Sequence, residues 1–323
     1  MNPLENFLKE VNQYNCIAIT GMAKNTGKTT VLNVILSEET NKIRAITSIG
    51  YDGETSDQVT GTEKPSIYVR KGTLIVTADG LLPFCDFTKE LLAYTGFNTP
   101  MGEAIIVRAL SDGYAQIAGP STRSQMEATV RQLKDFEAEQ IFIDGALSRK
   151  STAAVAFSDA CILATGAAFS YNVDKLVKET VHFVNLLSLP VFPDLSNVNN
   201  FADSLKEEEI SKAFEKLAES KSIFFKGAIT SQLIKQIFNL NFNINGLSII
   251  GEDGTRFLIE PQLFADLTRH GVRLFVKNPI NLIAVTVNPK APSGLILDSN
   301  EVCCSLRKEL NLLVLDMKSG EYK

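Results

Sequence analysis

Residues 17–30, IAITGMAKNTGKTT, concentrate chemistry-bearing types: an apolar run, Gly21, then Gly27, Lys28, Thr29 and Thr30. Binding a phosphate takes backbone N–H groups that can converge on its oxygens, a cation to offset its charge and a hydroxyl to help hold a metal ion. Glycine, lysine and threonine supply these in turn. Gly27 would let the chain close around a β-phosphate at the positive end of a helix. Lys28 is placed to reach the β- and γ-phosphates, and the Thr29 hydroxyl is placed to ligate Mg²⁺. With Gly21, Lys24, Asn25, Thr26 and Thr30 these residues form the expected nucleotide-binding set. The strict Walker A pattern has four residues between its glycines; this loop has five, and Met22 stands where the first glycine is expected. The competing reading is a Gly-Lys-Thr that merely opens a helix after a turn.

A phosphate loop needs an acidic metal partner, and IFIDG at 141–145 offers one: an apolar strand ending in Asp144, followed by Gly145. At the carboxyl end of a strand in a doubly wound sheet, Asp144 would hold Mg²⁺ directly or through water. The acidic turn SIGYDGETSD supplies Asp52, Glu54 and Asp57, of which Asp52 is preferred as the group facing the γ-phosphate, completing a metal shell or orienting water. The expected catalytic set is therefore Lys28, Asp52 and Asp144, and the expected metal ligands are Thr29, Asp52 and Asp144. For both acidic positions the plain alternative is an Asp-Gly turn.

Other polar residues are open to two readings. Asn288 ends the apolar strand Leu282–Val287; its amide could pair with the edge of adenine if that strand joins the nucleotide sheet, and is a turn residue otherwise. Lys24 reads as a phosphate ligand, across a dimer interface, or as an exposed loop lysine. Arg149 reads as a phosphate contact or a surface charge. In GPSTRSQMEATV, Ser121 or Thr122 would cap a helix with Arg123 in its first turn. His182 falls in an apolar helical run and reads as packing, and His270 as a helix-end cation.

These residues must be positioned by regular elements. Apolar runs at Ile17–Thr20, Ile43–Ile49, Ile141–Asp144, Ala160–Thr165, Ile223–Ile229, Leu247–Ile250, Val272–Val276, Leu282–Val287 and Leu312–Leu315 alternate with helical spacing. That texture predicts an α/β fold with a mostly parallel doubly wound sheet, and with the loop at Gly21–Thr30 the expected class is a P-loop NTPase. Between residues 66 and 118 the pattern alternates, and Arg70-Lys71-Gly72 and Ser111-Asp112-Gly113 read as hairpin turns of an antiparallel elaboration near the nucleotide site. Residues 201–220 read as a charged helical connector, and the segment through 277 as a smaller α/β insert. The expected nucleotide domain is then 1–200 plus 278–323, with the insert at 201–277; two consecutive domains split near residue 200 are the simpler alternative.

Composition narrows the function class. The 323 residues are 45% hydrophobic, enough for a substantial core, and 32 basic against 37 acidic residues give a net charge of −5, which disfavours nucleic acid as the main partner. Five scattered cysteines, Cys16, Cys85, Cys161, Cys303 and Cys304, suggest a reducing compartment rather than a disulfide framework. The absence of a CxxC pair or His-rich spacing argues against zinc. With no long apolar stretch and no apolar segment near Met1, the expectation is a cytoplasmic protein with no membrane partner.

The loop spacing resembles that of dethiobiotin synthetase, a P-loop class with a parallel sheet and often a dimeric site, which leaves a homodimer open. The combination GMAKNTGKTT, SIGYDGE, IDGALSR, ILATGAA and LIAVTVNPKAPSG resembles the P-loop accessory proteins associated with lysine 5,6-aminomutase, subunits of a reactivase. The resemblance implies an ATP- and Mg²⁺-dependent ATPase acting in lysine degradation. Its partners would be an adenosylcobalamin-dependent aminomutase and a second ATPase subunit, with the cobalamin on the partner. The alternative is an ATP-dependent small-molecule ligase resembling dethiobiotin synthetase, for which Arg70, Lys71 and Arg123 are the available acid-binding cations.

Overall fold

The computed structural model describes residues 2–50, 67–145, 158–196, 198–201, 221–239 and 244–317. Asp52, Glu54, Asp57, Arg149 and nearly all of the 201–220 connector lie outside these residues. The chain divides into two compact units, Met1–Thr180 with Leu282–Lys323, and Val181–Asn281.

The first unit is a mixed α/β structure built on a nine-stranded, mostly parallel sheet. Its strands are β1 (Cys16–Gly21), β2 (Arg44–Ser48), β4 (Leu74–Ala78), β5 (Lys89–Thr99), β6 (Gly102–Ala109), β8 (Gln140–Asp144), β9 (Ala160–Gly166), β16 (Leu282–Asn288) and β17 (Leu313–Asp316). They are ordered β17-β16-β9-β1-β8-β2-β4-β6-β5. From β17 through β4 every pairing is parallel; the β4–β6 and β6–β5 pairings are antiparallel, so β6 alone runs against the rest. Continuous apolar runs form the central strands because parallel strands are covered on both faces: every residue of β1, β9 and β16 is buried.

The antiparallel elaboration exists, but not with the turns expected. β3 (Ile67–Val69) pairs with β7 (Gly113–Ala115) in a separate two-stranded ladder, so Arg70-Lys71-Gly72 and Ser111-Asp112-Gly113 join strands that diverge into different sheets. The hairpin is the longer β5–β6 pair, turning between Thr99 and Gly102. The reason is Asp112, whose carboxylate accepts from the Lys71 N–H (2.8 Å) and the Tyr68 hydroxyl (2.8 Å), tying the two turns to one another rather than closing either as a hairpin. The elaboration grows from the edge of the sheet, and its far end returns to the site. There Gly119 N donates to Ser48 Oγ (3.1 Å) and Gly50 N to the Pro120 carbonyl (3.1 Å), pinning the start of the acidic turn.

Helix α1 (Pro3–Val11) buries Phe7 and Val11 in the core shared by Ile17, Ile19, Ile46 and Phe142. Helix α2 (Lys28–Ser37) contributes Val31, Leu32, Ile35 and Leu36 to it. At its carboxyl end α2 meets Arg44, which is 5% exposed: Nη1 donates to the Ile35 (2.7 Å) and Glu38 (3.0 Å) carbonyls, and Nε donates to Gln140 Oε1 (3.1 Å). Burial lowers the Arg44 pKa, and the adjacent Glu38 carboxylate opposes that shift. Gln140 Nε2 extends the network to the Val11 and Tyr14 carbonyls at the end of α1. A cation set on the negative end of a helix dipole both satisfies the last carbonyls and fixes the helix.

The second unit has its own sheet, β10 (Asn199–Phe201), β11 (Ser222–Phe225), β13 (Ser248–Gly251) and β15 (Arg273–Val276), all parallel, over a core that includes Ile223, Ile234, Ile249 and Phe257. His182 packs edge-to-face on Phe264, with Nε2 2.8 Å from the Ile259 carbonyl; His270 follows the helix Pro261–Arg269, as its sequence position suggests. Among the described residues no helix is long and apolar enough to cross a membrane.

Arg44→Met removes the donor for two buried acceptors, the Ile35 carbonyl and Gln140 Oε1, and for two part-buried ones on Glu38, and each buried acceptor left unsatisfied costs about 1–3 kcal/mol. We expect the variant to lose about 3 kcal/mol in urea denaturation; a loss below about 0.5 kcal/mol, the range of ordinary surface changes, would contradict this role.

Candidate functional site

The site lies at the carboxyl edge of the first sheet, where the chain order switches direction. From β1 the chain crosses to β2 on one side; from β8 it crosses over β1 to β9 on the other. Such a switch point leaves a crevice outside the strand ends. β1 stops at Gly21, and the loop Met22–Gly27 turns the chain into α2.

Two left-handed residues make that turn, Asn25 at φ 60° and Gly27 at φ 96°. Asparagine tolerates this region and glycine occupies it without strain, which accounts for both residue types. Within the loop, buried Thr26 donates its hydroxyl to the Ala23 carbonyl (3.0 Å), and Met22 N donates to the Ala164 carbonyl of β9 (2.9 Å). The loop is wound tightly: a Cβ on Gly21 would collide with Thr26 Oγ1 and stand 3.1 and 3.2 Å from Lys28 Cγ and Cδ. The Lys28 stem therefore folds back along the start of the loop.

The N-terminus of α2 lacks the side-chain cap that most described helix starts have; the start of the helix Pro261–Arg269, which opens on a proline after Glu260, lacks one too. Helices beginning at Pro3, Arg123, Val173, Ser231 and Ser299 receive side-chain caps from Asn2, Thr122, Asn172, Thr230 and Asp298. Gly27 has no side chain to cap α2, and no acidic residue lies in its first turn. The first N–H groups of a helix have no intrahelical acceptor, so this end presents unmatched donors and a partial positive charge. Lys28 is half-buried there, and among the described residues no acceptor or carboxylate engages its ammonium. Thr29 and Thr30 are half-buried in the same turn, and Lys24 is exposed on the loop.

Asp144 is brought to this end of the sheet by β8, in register with Ile19 of β1 on one side and Ser48 of β2 on the other. The Gly145 N–H donates to the Ile19 carbonyl (3.0 Å), continuing the ladder to the edge of the loop. Thr29 and Asp144 offer hard oxygen donors of the kind Mg²⁺ takes. Among the described residues no group of three or more His, Cys, Asp or Glu could hold a metal.

Asn288 ends β16, which joins the main sheet beside β9, and its side chain bonds to the loop. Its Nδ2 donates to the Asn25 carbonyl (3.1 Å), its Oδ1 accepts from Lys290 N (3.3 Å), and it is 7% exposed. Arg123 is paired with Glu127 (2.8 Å) in the first turn of α3 (Arg123–Asp135), which Thr122 caps. Gly166, absent from the expected set, sits at φ 149°, where a Cβ would collide with the Asn288 carbonyl oxygen. A glycine directly after the apolar run ILAT is the local signal for it.

Cysteine chemistry does not belong to this site. Burial pushes the Cys16 and Cys161 thiols up to about 12 and Cys303 up to about 11, so all three stay protonated at neutral pH; no disulfide forms among the described residues. Compared with known protein families, the chain matches no family model, and no curated protein matches it at a significant level.

Gly27→Ala would force a Cβ into left-handed backbone with the Asn288 Cβ only 3.0 Å away. The left-handed conformation alone costs about 1–2 kcal/mol for a residue with a Cβ. We expect a destabilisation of at least that size by urea denaturation; an unchanged midpoint would show that the turn is not held as described.

Proposed function

We propose that the chain is a P-loop ATPase that binds ATP with Mg²⁺ at Gly21–Thr30. One observation carries the reading: among the described residues, the helix start that combines a left-handed glycine, no side-chain cap and a half-buried lysine lies at the switch point of the sheet, at the edge where β8 ends in Asp144. Among the described residues five other helix starts are capped by a side chain, and the uncapped start at Pro261 follows the acidic Glu260; the α2 start has neither and suits an external anion.

In this reading the N–H groups at the start of α2 hold a β-phosphate, and Lys28 offsets charge that grows on the β–γ bridging oxygen during transfer. Mg²⁺ would be held by Thr29 and Asp144, with Asp52 from the acidic turn; when bound, it neutralises the phosphate oxygens. Ser48 and Gly50, anchored by Gly119 and Pro120, set where that acidic turn leaves the sheet.

The work done with the nucleotide rests on the motif resemblance. We propose an accessory, reactivase-type role for an adenosylcobalamin-dependent aminomutase in amino-acid fermentation, lysine 5,6-aminomutase being the case indicated, alongside a second ATPase subunit. ATP must then bind two states of the complex with different affinity, because a ligand without such a difference shifts no equilibrium. The small-molecule ligase reading uses the same loop, but Arg123 is engaged by Glu127 and Arg70 by Glu39 (3.2 Å) and the Ser37 carbonyl (2.6 Å), which weakens both as acid-binding cations.

Lys28→Ala removes a charge-assisted contact worth about 1.5–3 kcal/mol, or about 10- to 100-fold in affinity. Titration with a fluorescent ATP analogue should show that loss, together with loss of ATP hydrolysis. Basal hydrolysis by the native protein should rise on adding inactivated aminomutase. Full ATP turnover by the variant would refute the site, and turnover raised instead by a free dicarboxylic or diamino acid would favour the ligase.

A further inference from the structure

We propose that Asn288 is a positioning residue for the phosphate site: from the end of β16 it fastens the loop Met22–Gly27 from outside, and it does not read the nucleobase. The inference rests on Gly21–Thr30 being a phosphate loop.

The loop carries one residue more than the strict pattern, and it accommodates it with left-handed backbone on both sides of Thr26. At Asn25 this conformation faces the carbonyl toward β16, where Asn288 Nδ2 donates to it at 3.1 Å. The amide is held in that sense because its other end, Oδ1, accepts from Lys290 N at 3.3 Å. The side chain also packs on the start of α2, its Cβ standing 3.0 Å from the point a Cβ on Gly27 would occupy. One buried residue thus touches both left-handed positions of the loop.

Asn288 is itself held by its backbone. Its carbonyl accepts from Ala167 N at 3.0 Å, and Gly166 leaves the room for that approach, since a Cβ there would collide with the same oxygen. The loop is therefore clamped between β9, through Met22 and Ala164, and β16, through Asn25 and Asn288. Pairing with a base edge needs the donor and acceptor of the amide presented together to the ligand. Here they face Asn25 and Lys290, on a side chain that is 7% exposed.

A base reader and a loop clamp differ toward a ligand that has phosphates and no base. Full-length protein is titrated calorimetrically with Mg²⁺-ATP, Mg²⁺-GTP and Mg²⁺-tripolyphosphate, alongside Asn288→Ala, with thermal melting as the check on folding. The clamp predicts that Asn288→Ala weakens ATP and tripolyphosphate by the same factor, at least fivefold, and leaves the ATP-to-GTP ratio unchanged. Loss of ATP affinity with tripolyphosphate unaffected would overturn it in favour of base reading. A lowered melting temperature with both affinities intact would overturn it in favour of a purely structural residue. Should the variant fail to fold, hydrogen exchange on the native protein decides: tripolyphosphate must protect residues 22–30 and 288–291 together, and protection confined to the loop rejects the clamp. A native protein that binds neither ATP nor tripolyphosphate would instead refute the phosphate loop itself.

Discussion

The structure depends on holding the start of α2 open. A helix that begins on a left-handed glycine keeps its partial positive charge and its first N–H groups unanswered, and protein chains ordinarily close such ends with a side chain. Here both ends of the helix are managed from outside it. Arg44 supplies a buried cation at the carboxyl end, and the loop Met22–Gly27 is fastened on either side by strands β9 and β16. The central parallel strands matter because their common direction brings Gly21, Asp144, Gly166 and Asn288 to one edge.

Much of this was legible in the chain because buried parallel strands read as continuous apolar runs, and each of the nine runs overlaps a strand. The turn into α2 was legible because a glycine just before a helical run signals backbone with φ above zero, which Gly27 has. Local signals misled where two turns were joined by a side chain: nothing in Arg70-Lys71-Gly72 reveals that Asp112 will bond it to a neighbouring turn, so the hairpins were placed wrongly. The edge strand β5 escaped notice because it is half-exposed and bulged, without a strong apolar pattern.

Asn288 illustrates a different limit. Its place at a strand end was readable, but its partner, the Asn25 carbonyl, lies 263 residues away, and no periodicity encodes such a contact. Arg44 is similar: a lone arginine inside an apolar strand signals an unusual demand, yet only the fold shows that the demand is the end of α2.

The central claim, that the open start of α2 is a phosphate site, is tested most directly by a crystal structure with Mg²⁺ and a non-hydrolysable ATP analogue. The account predicts the β-phosphate within hydrogen-bond distance of the N–H groups at the Gly27–Thr29 turn and of Lys28 Nζ, with the metal between the phosphates and Thr29. Nucleotide bound elsewhere in the molecule, with this helix start bare, would contradict it.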